Sequence, residues 1–233
     1  YGLYTHLETV DEHLIERWFV DGSGALFELD DADYSVDYLD GFELKFADDD
    51  SEGHLDENLI GVAEGLTIED PDSAMATVEA HLDLDQFLLY WAVTAVIGQF
   101  DGYPYSIPGD DCHVYDDPET GRLHTLPHGI DEAFYQSTKD VFTSTVGLLA
   151  SRCLESFDCR SRLEAQLEMA LSLMETMNLY DRTLEIQAQI APLIEADMHH
   201  SHDERDIEFS QQYMLDFIAE RREEITAQIQ DNP

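Results

Sequence analysis

With 52 acidic side chains against 11 lysines and arginines among 233 residues, the chain carries a formal net charge of −41. That balance excludes nucleic acid as a partner, because neutralising a phosphate backbone takes a surface rich in lysine and arginine. A hydrophobic share of 43% in periodic runs excludes an unfolded acidic chain, and no apolar run reaches the roughly 18 residues of a transmembrane helix.

In chain order, Tyr4 to Val10 reads as the end of a strand, and Asp11 to Phe19 as a short helix capped by Asp11 or Thr9. Ala25 to Leu29, after a Gly-Ser-Gly turn, and Gly41 to Phe46 read as strands. The run Asp48 to Gly53 lacks the D-x-D-x-D-G spacing and closing glutamate of an EF-hand, so it reads as a solvated loop. Leu55 to Gly65 and Ala74 to His81 follow as helices, joined by a linker from Thr67 to Asp72. Asp85 to Gln99 carries Phe87, Leu88, Tyr90, Trp91, Val93 and Val96, a helix apolar enough to form the buried centre of the fold.

Cys112 to Leu126 reads as a β-hairpin closed at Asp117-Pro118-Glu119-Thr120-Gly121, with Gly121 free to take positive φ. From Val146 onward the pattern is helical: Ser161 to Met177, Tyr180 to Asp197 and Ile207 to Gln230 space their apolar residues by three and four. The expected class is therefore α+β. Residues 1–145 hold a small antiparallel sheet with its hairpin, and residues 146–233 a mainly helical subdomain.

The chemistry concentrates in Phe100 to Phe134, FDGYPYSIPGDDCHVYDDPETGRLHTLPHGIDEAF. Two acidic centres, Asp101 and the group of Asp110-Asp111 with Asp131, are joined by the hairpin. Metal-assisted phosphoryl transfer needs such a pair, one carboxylate to place a nucleophilic hydroxyl and another to hold the cation that bridges the phosphates. Each residue also has a plainer reading. Asp101-Gly102 is an ordinary turn after an apolar helix, Asp110-Asp111 a solvated loop, and His128 a partly buried packing histidine. Asp131 stands apart, because the apolar strand Leu123 to Leu126 and a Pro-His-Gly bend present it at a strand end.

Several of these segments, in order, resemble the CotH-type kinase family, an atypical branch of the protein-kinase-like fold. The family's W-D-G-Y run is matched by Phe100-Asp101-Gly102-Tyr103, and its N-N-Y-x-x-Y strand by Asp110 to Tyr115. Its D-P-x-T-G turn is matched by Asp117 to Gly121, and its P-W/H-D/G-x-D motif by Pro127 to Asp131. Upstream, YGLYTHLETVDEHLIERWF resembles the family's Y-G-L-Y-x-x-x-E opening, and LDLDQFLLYWAVTAVIGQFDGY its helix before the catalytic segment.

The resemblance implies a phosphotransferase that uses Mg²⁺ and ATP on serine or threonine of a surface or exported protein. On it, Asp101 corresponds to the catalytic-loop aspartate, which orients the attacking group or takes its proton. Asp131 corresponds to the metal aspartate of the DFG motif. Asp111 stands where the family has a metal-binding asparagine; a carboxylate suits a hard cation but adds negative charge beside the phosphates. Glu8 matches a glutamate that pairs with a phosphate-binding lysine. The YGLY opening reads as mid-strand, so that lysine and the nucleotide-covering strands are expected upstream. Lys45, in GFELKF, is the lysine of the lobe left for the role, against the plainer reading of a surface residue.

Two other functions remain open. One is a non-catalytic surface or coat module that keeps the kinase-like fold, favoured by Asp111 and by a total of two lysines, Lys45 and Lys139. The other is an acidic cation-binding domain. The charge itself reads as adaptation to high salt, where screening suppresses self-repulsion, or as a calcium-rich extracellular surface. Cys153 and Cys159, flanking LESFD, read either as a disulfide of an exported protein or as buried thiols beside Cys112. No C-x-x-C pair supports zinc, and His199-His200-Ser201-His202 reads as a solvated loop in preference to a transition-metal site.

Overall fold

The computed structural model describes residues 6–47, 57–106, 109, 111–134, 139–197 and 203–232. Asp11 opens the first helix, α1 (Glu12–Trp18), by accepting hydrogen bonds on Oδ1 from the His13 and Leu14 amides at 3.0 and 3.2 Å. These are amides that the helix itself leaves without acceptors. Ahead of the cap, His6 to Val10 form no strand, which corrects the described part of the Tyr4–Val10 expectation. His6 to Thr9 are exposed and pair with no strand of the sheet, and an extended segment needs a ladder partner to become one.

Four strands, β1 (Ala25–Leu29), β2 (Phe42–Phe46), β3 (Cys112–Asp117) and β4 (Arg122–Pro127), form an antiparallel sheet in the order β2-β1-β3-β4. Side chains alternate between its two faces. Leu26 and Tyr115 meet Ile15 of α1 on one face. Ala25, Phe27, Leu29, Val114 and Leu123 join the main core. The register sets Glu28 of β1 opposite Glu43 of β2 and His113 of β3, so a polar row crosses the sheet.

Helices α2 (Glu57–Gly65), α3 (Pro71–Val78) and α4 (Leu84–Ile97) contribute Leu59, Val62, Ala74, Val78, Phe87 and Trp91 to that core. The linker expected over Thr67–Asp72 is shorter than its residue types suggested. Pro71 takes the first helical position and Asp70 caps the Ser73 amide at 2.9 Å. The core helix α4 ends two residues before the expected Gln99, because Gly98 turns left-handed at φ 74° and the Gln99 amide returns to the Thr94 carbonyl at 2.9 Å. Gln99 is thereby released from the helix, which matters below.

The C-terminal part consists of α5 (Leu148–Glu155), α6 (Phe157–Thr176), α7 (Leu179–Ala196) and α8 (Glu204–Asp231). The apolar spacing did not single out α5. Its N-terminus has no local side-chain cap. The acceptor is Asp33, 6% exposed, whose Oδ1 takes the Leu148 amide at 3.0 Å and the Tyr103 hydroxyl at 3.1 Å. A disulfide joins Cys153 of α5 to Cys159 of α6, and Cys112 is a buried free thiol.

From α8, the fully buried Arg221 reaches the end of α4, donating to the Ala95 carbonyl and to the Val96 carbonyl at 3.1 Å. Glu224, 3.1 Å away, matches its charge. The class is α+β, as expected. Among the described residues no helix is long and apolar enough to cross a membrane.

Candidate functional site

The left-handed Gly98 releases the chain from α4 into Gln99, Phe100 and Asp101. Phe100 is buried, its ring 4.6 Å from that of Tyr105, and this anchors the segment while Asp101 stands exposed on the turn. Gln99 is 1% exposed. Its Nε2 donates to Asp111 Oδ2 at 2.9 Å and to the Gly129 carbonyl at 2.5 Å, tying together the segments on either side of the hairpin.

Asp111 has φ 53°, a left-handed backbone that aspartate and asparagine accept more readily than other side chains. The asparagine that the resemblance implies for this position and the aspartate present therefore share the same local backbone preference. The Asp111 carbonyl accepts from the His128 amide at 3.1 Å. Gly129 is left-handed as well, at φ 59°, and a β-carbon there would fall 1.9 Å from Asp111 Oδ1. Glycine is thus required twice over, by conformation and by the carboxylate pressed against it. Past Gly129, a 3₁₀ turn (Ile130–Glu132) carries the exposed Asp131, and the Phe134 amide returns to the Ile97 carbonyl at 2.6 Å. Both ends of this turn are consequently bound to the end of α4.

The five predicted site residues are not gathered into one pocket. Asp131 lines a cavity of about 310 Å³ with Glu132, Phe134 and the α8 residues Phe209, Tyr213 and Met214. Lys45 lines a different cavity, of about 450 Å³, with Glu28, His113, His128, Asp11 and His13. Its ammonium contacts Glu28 and lies 2.9 Å from Glu43. The Glu28 bond, and then the Glu43 bond, hold the lysine pKa up at about 12, and the same lysine lowers that of Glu28. Glu8 pairs instead with Arg17, at 2.5 Å.

His113 packs edge-on to His128 with ring centroids 4.9 Å apart. Burial, and then the neighbouring His128, push its pKa down to about 4. Its Nδ1 has no hydrogen-bond partner among the described residues. Asp110, the Asp48 to Gly53 run and the His199 to His202 cluster lie outside the described residues.

The donors suit a hard cation, since Asp111 and Asp131 offer only oxygen. Mg²⁺ takes one or two carboxylates and completes its shell with water and phosphate oxygens. A cage of three or more acidic, histidine or cysteine ligands is absent among the described residues, and such a cation does not require one.

Sequence reasoning missed Gln99 and Glu28. Gly98, a glycine near the end of a helical pattern, was the available signal that Gln99 leaves the helix. Nothing local marks Glu28, because only the strand register brings Lys45 to it. A family model described as CotH kinase protein matches residues 1–225, and the chain belongs to that family. No curated protein matches the chain.

Proposed function

We propose, with CotH membership as the premise, that this chain is an atypical phosphotransferase that uses Mg²⁺ and ATP to modify serine or threonine of a surface or exported protein. The observation that carries the reading is the Gln99 bridge. It joins the segment leading to Asp101, the residue Asp111 and the turn bearing Asp131, three motif segments up to 30 residues apart in sequence. Bound Mg²⁺-ATP supplies a γ-phosphoryl group whose negative charge the cation spreads. Asp111 and Asp131 hold that cation, and the exposed Asp101 orients the incoming hydroxyl and takes its proton. Positioning and charge neutralisation account for the catalysis, with no covalent enzyme intermediate.

Lys45 and Glu8 are assigned to the nucleotide side. Lys45 and His128 line the same cavity, and His128 stands three residues before Asp131. The helical residues 146–233 support this lobe by buttressing α4. The disulfide between Cys153 and Cys159 favours export, since such bonds persist in oxidising compartments. High salt is the proposed setting for the acidic surface.

A non-catalytic kinase-like binding module is the second reading. It is favoured by the separation of Lys45 and Asp131 into two cavities, and by a lysine whose charge Glu28 and Glu43 already match. Thermal unfolding in molar KCl, with and without Mg²⁺-ATP, tests nucleotide binding for the wild type and Asp131→Ala. A ligand bound only to the folded state raises the melting temperature by mass action. A rise in the wild type that is absent in Asp131→Ala is expected, and no rise in the wild type overturns the nucleotide reading. Given binding, transfer of the γ-phosphoryl group to a serine or threonine hydroxyl, with release of ADP, separates the enzyme from the module.

A further inference from the structure

We infer that Gln99 is a positioning residue for cation binding: its neutral amide sets Asp111 against the Gly129–Asp131 turn without neutralising the Asp111 carboxylate. The inference rests on the reading of Asp111 and Asp131 as cation ligands. Both Nε2 hydrogens are committed, one to Asp111 Oδ2 at 2.9 Å and one to the Gly129 carbonyl at 2.5 Å.

The opposite amide orientation would set Oε1 against two acceptors, so the hydrogen-bonding partners dictate the orientation. Oε1 itself is buried and has no hydrogen-bond partner among the described residues. A residue present only to fill space would not keep an unpaired buried acceptor, because methionine or leucine fills nearly the same volume without one. Glutamate would repel Asp111. Lysine or arginine would supply donors but cancel the charge that a cation needs. A neutral group with two N–H donors satisfies both acceptors and leaves the carboxylate anionic. Groups that orient metal ligands from behind act in this way.

Gln86 provides an internal contrast. It also leads from α4 to the hairpin, with Nε2 donating to the Thr125 carbonyl and Oε1 accepting from the Thr125 amide at 2.7 Å. Neither bond involves Asp111 or Asp131. Loss of the Gln86 bridge therefore reports on stability alone.

The test is a titration with Mn²⁺, a spin probe in place of Mg²⁺, followed by electron paramagnetic resonance on the full chain without nucleotide. The wild type should bind and Asp131→Ala should not. Gln99→Met should weaken Mn²⁺ binding about 10- to 100-fold, the loss typical when a group behind a metal ligand is removed. Gln86→Met should lower the melting temperature yet leave Mn²⁺ affinity unchanged. Gln99→Asn keeps the amide but is too short to span both acceptors. It should also weaken binding, and it serves if the methionine variant does not fold.

Wild-type affinity in Gln99→Met or Gln99→Asn, with binding still lost in Asp131→Ala, overturns the role of Gln99 and leaves the cation site standing. An equal loss of affinity in Gln86→Met also overturns it, since the effect would then be one of stability. Absence of Mn²⁺ binding by the wild type refutes the cation reading itself, and the inference with it.

Discussion

Substituting Gly129 by alanine tests the packing of the site directly. Alanine in a left-handed conformation costs about 1–2 kcal/mol. The new β-carbon would also lie 1.9 Å from Asp111 Oδ1 and 2.3 Å from its Cγ, so the carboxylate must leave its place. Leaving breaks the bond from Gln99, and a hydrogen bond to a charged group is worth about 1.5–3 kcal/mol. The two effects together come to about 2.5–5 kcal/mol. For a chain of this size each kcal/mol shifts the melting temperature by about 2–4 °C, so Gly129→Ala should melt about 5–20 °C lower.

The matching control is Gly121→Ala in the hairpin turn. There φ is 65° and nothing lies within 4 Å of the added β-carbon. Only the conformational cost applies, a drop of about 2–8 °C. Thermal unfolding of both variants by circular dichroism in one KCl buffer reads the difference. Equal drops would refute the reasoning, because they would mean that Asp111 does not sit over Gly129 in solution.

Asp33→Ala should cost about 3 kcal/mol, as the buried Leu148 amide and Tyr103 hydroxyl lose their shared acceptor. Asp33→Asn keeps an acceptor oxygen and should cost less; equal unfolding midpoints in denaturant for the two variants would argue against a remote cap on α5. His113, with its pKa held down at about 4, stays neutral in the fold while the unfolded chain takes up a proton near 6.5. The unfolded state thus gains protons first, and this residue's share of stability is lost as pH falls from about 6.5 to about 4. Denaturant titrations across that window should show a shallower decline for His113→Leu than for the wild type, and parallel curves would exclude the histidine as a source. The net charge of −41 predicts that the melting temperature rises between about 0.1 and 1 M KCl, as the screening length shrinks from about 10 to 3 Å. A flat or falling profile would contradict salt adaptation.

Elements whose determinants are local were legible in the sequence. Asp11 caps α1 through its own side chain, strand β1 is a short apolar run that follows Gly22-Ser23-Gly24, and the turn closing at Gly121 has a glycine where φ must be positive. The misplaced ends of α3 and α4 have local causes, Pro71 and Gly98, but the larger misses share another, determinants that lie far away in the chain. Helix α5 draws its N-terminal acceptor from Asp33, 115 residues earlier, so no local pattern announces it. Lys45 has Glu28 as its partner and not Glu8, a choice made by strand register. Asp101, Asp111 and Asp131 could be nominated from motif spacing. Gln99, which connects the last two, could not, because its role depends on where a left-handed glycine points the chain.

The reach of Arg221 has a consequence for synthesis. The carbonyls that it satisfies at the end of α4 precede it by 125 and 126 residues. A ribosome adding about 5–20 residues per second therefore holds the end of α4 without that partner for roughly 6–25 seconds. The same helix supplies Phe209, Tyr213 and Met214 to the cavity of Asp131, so a nascent chain stalled before α8 lacks both the Arg221 contacts and that wall of the cavity.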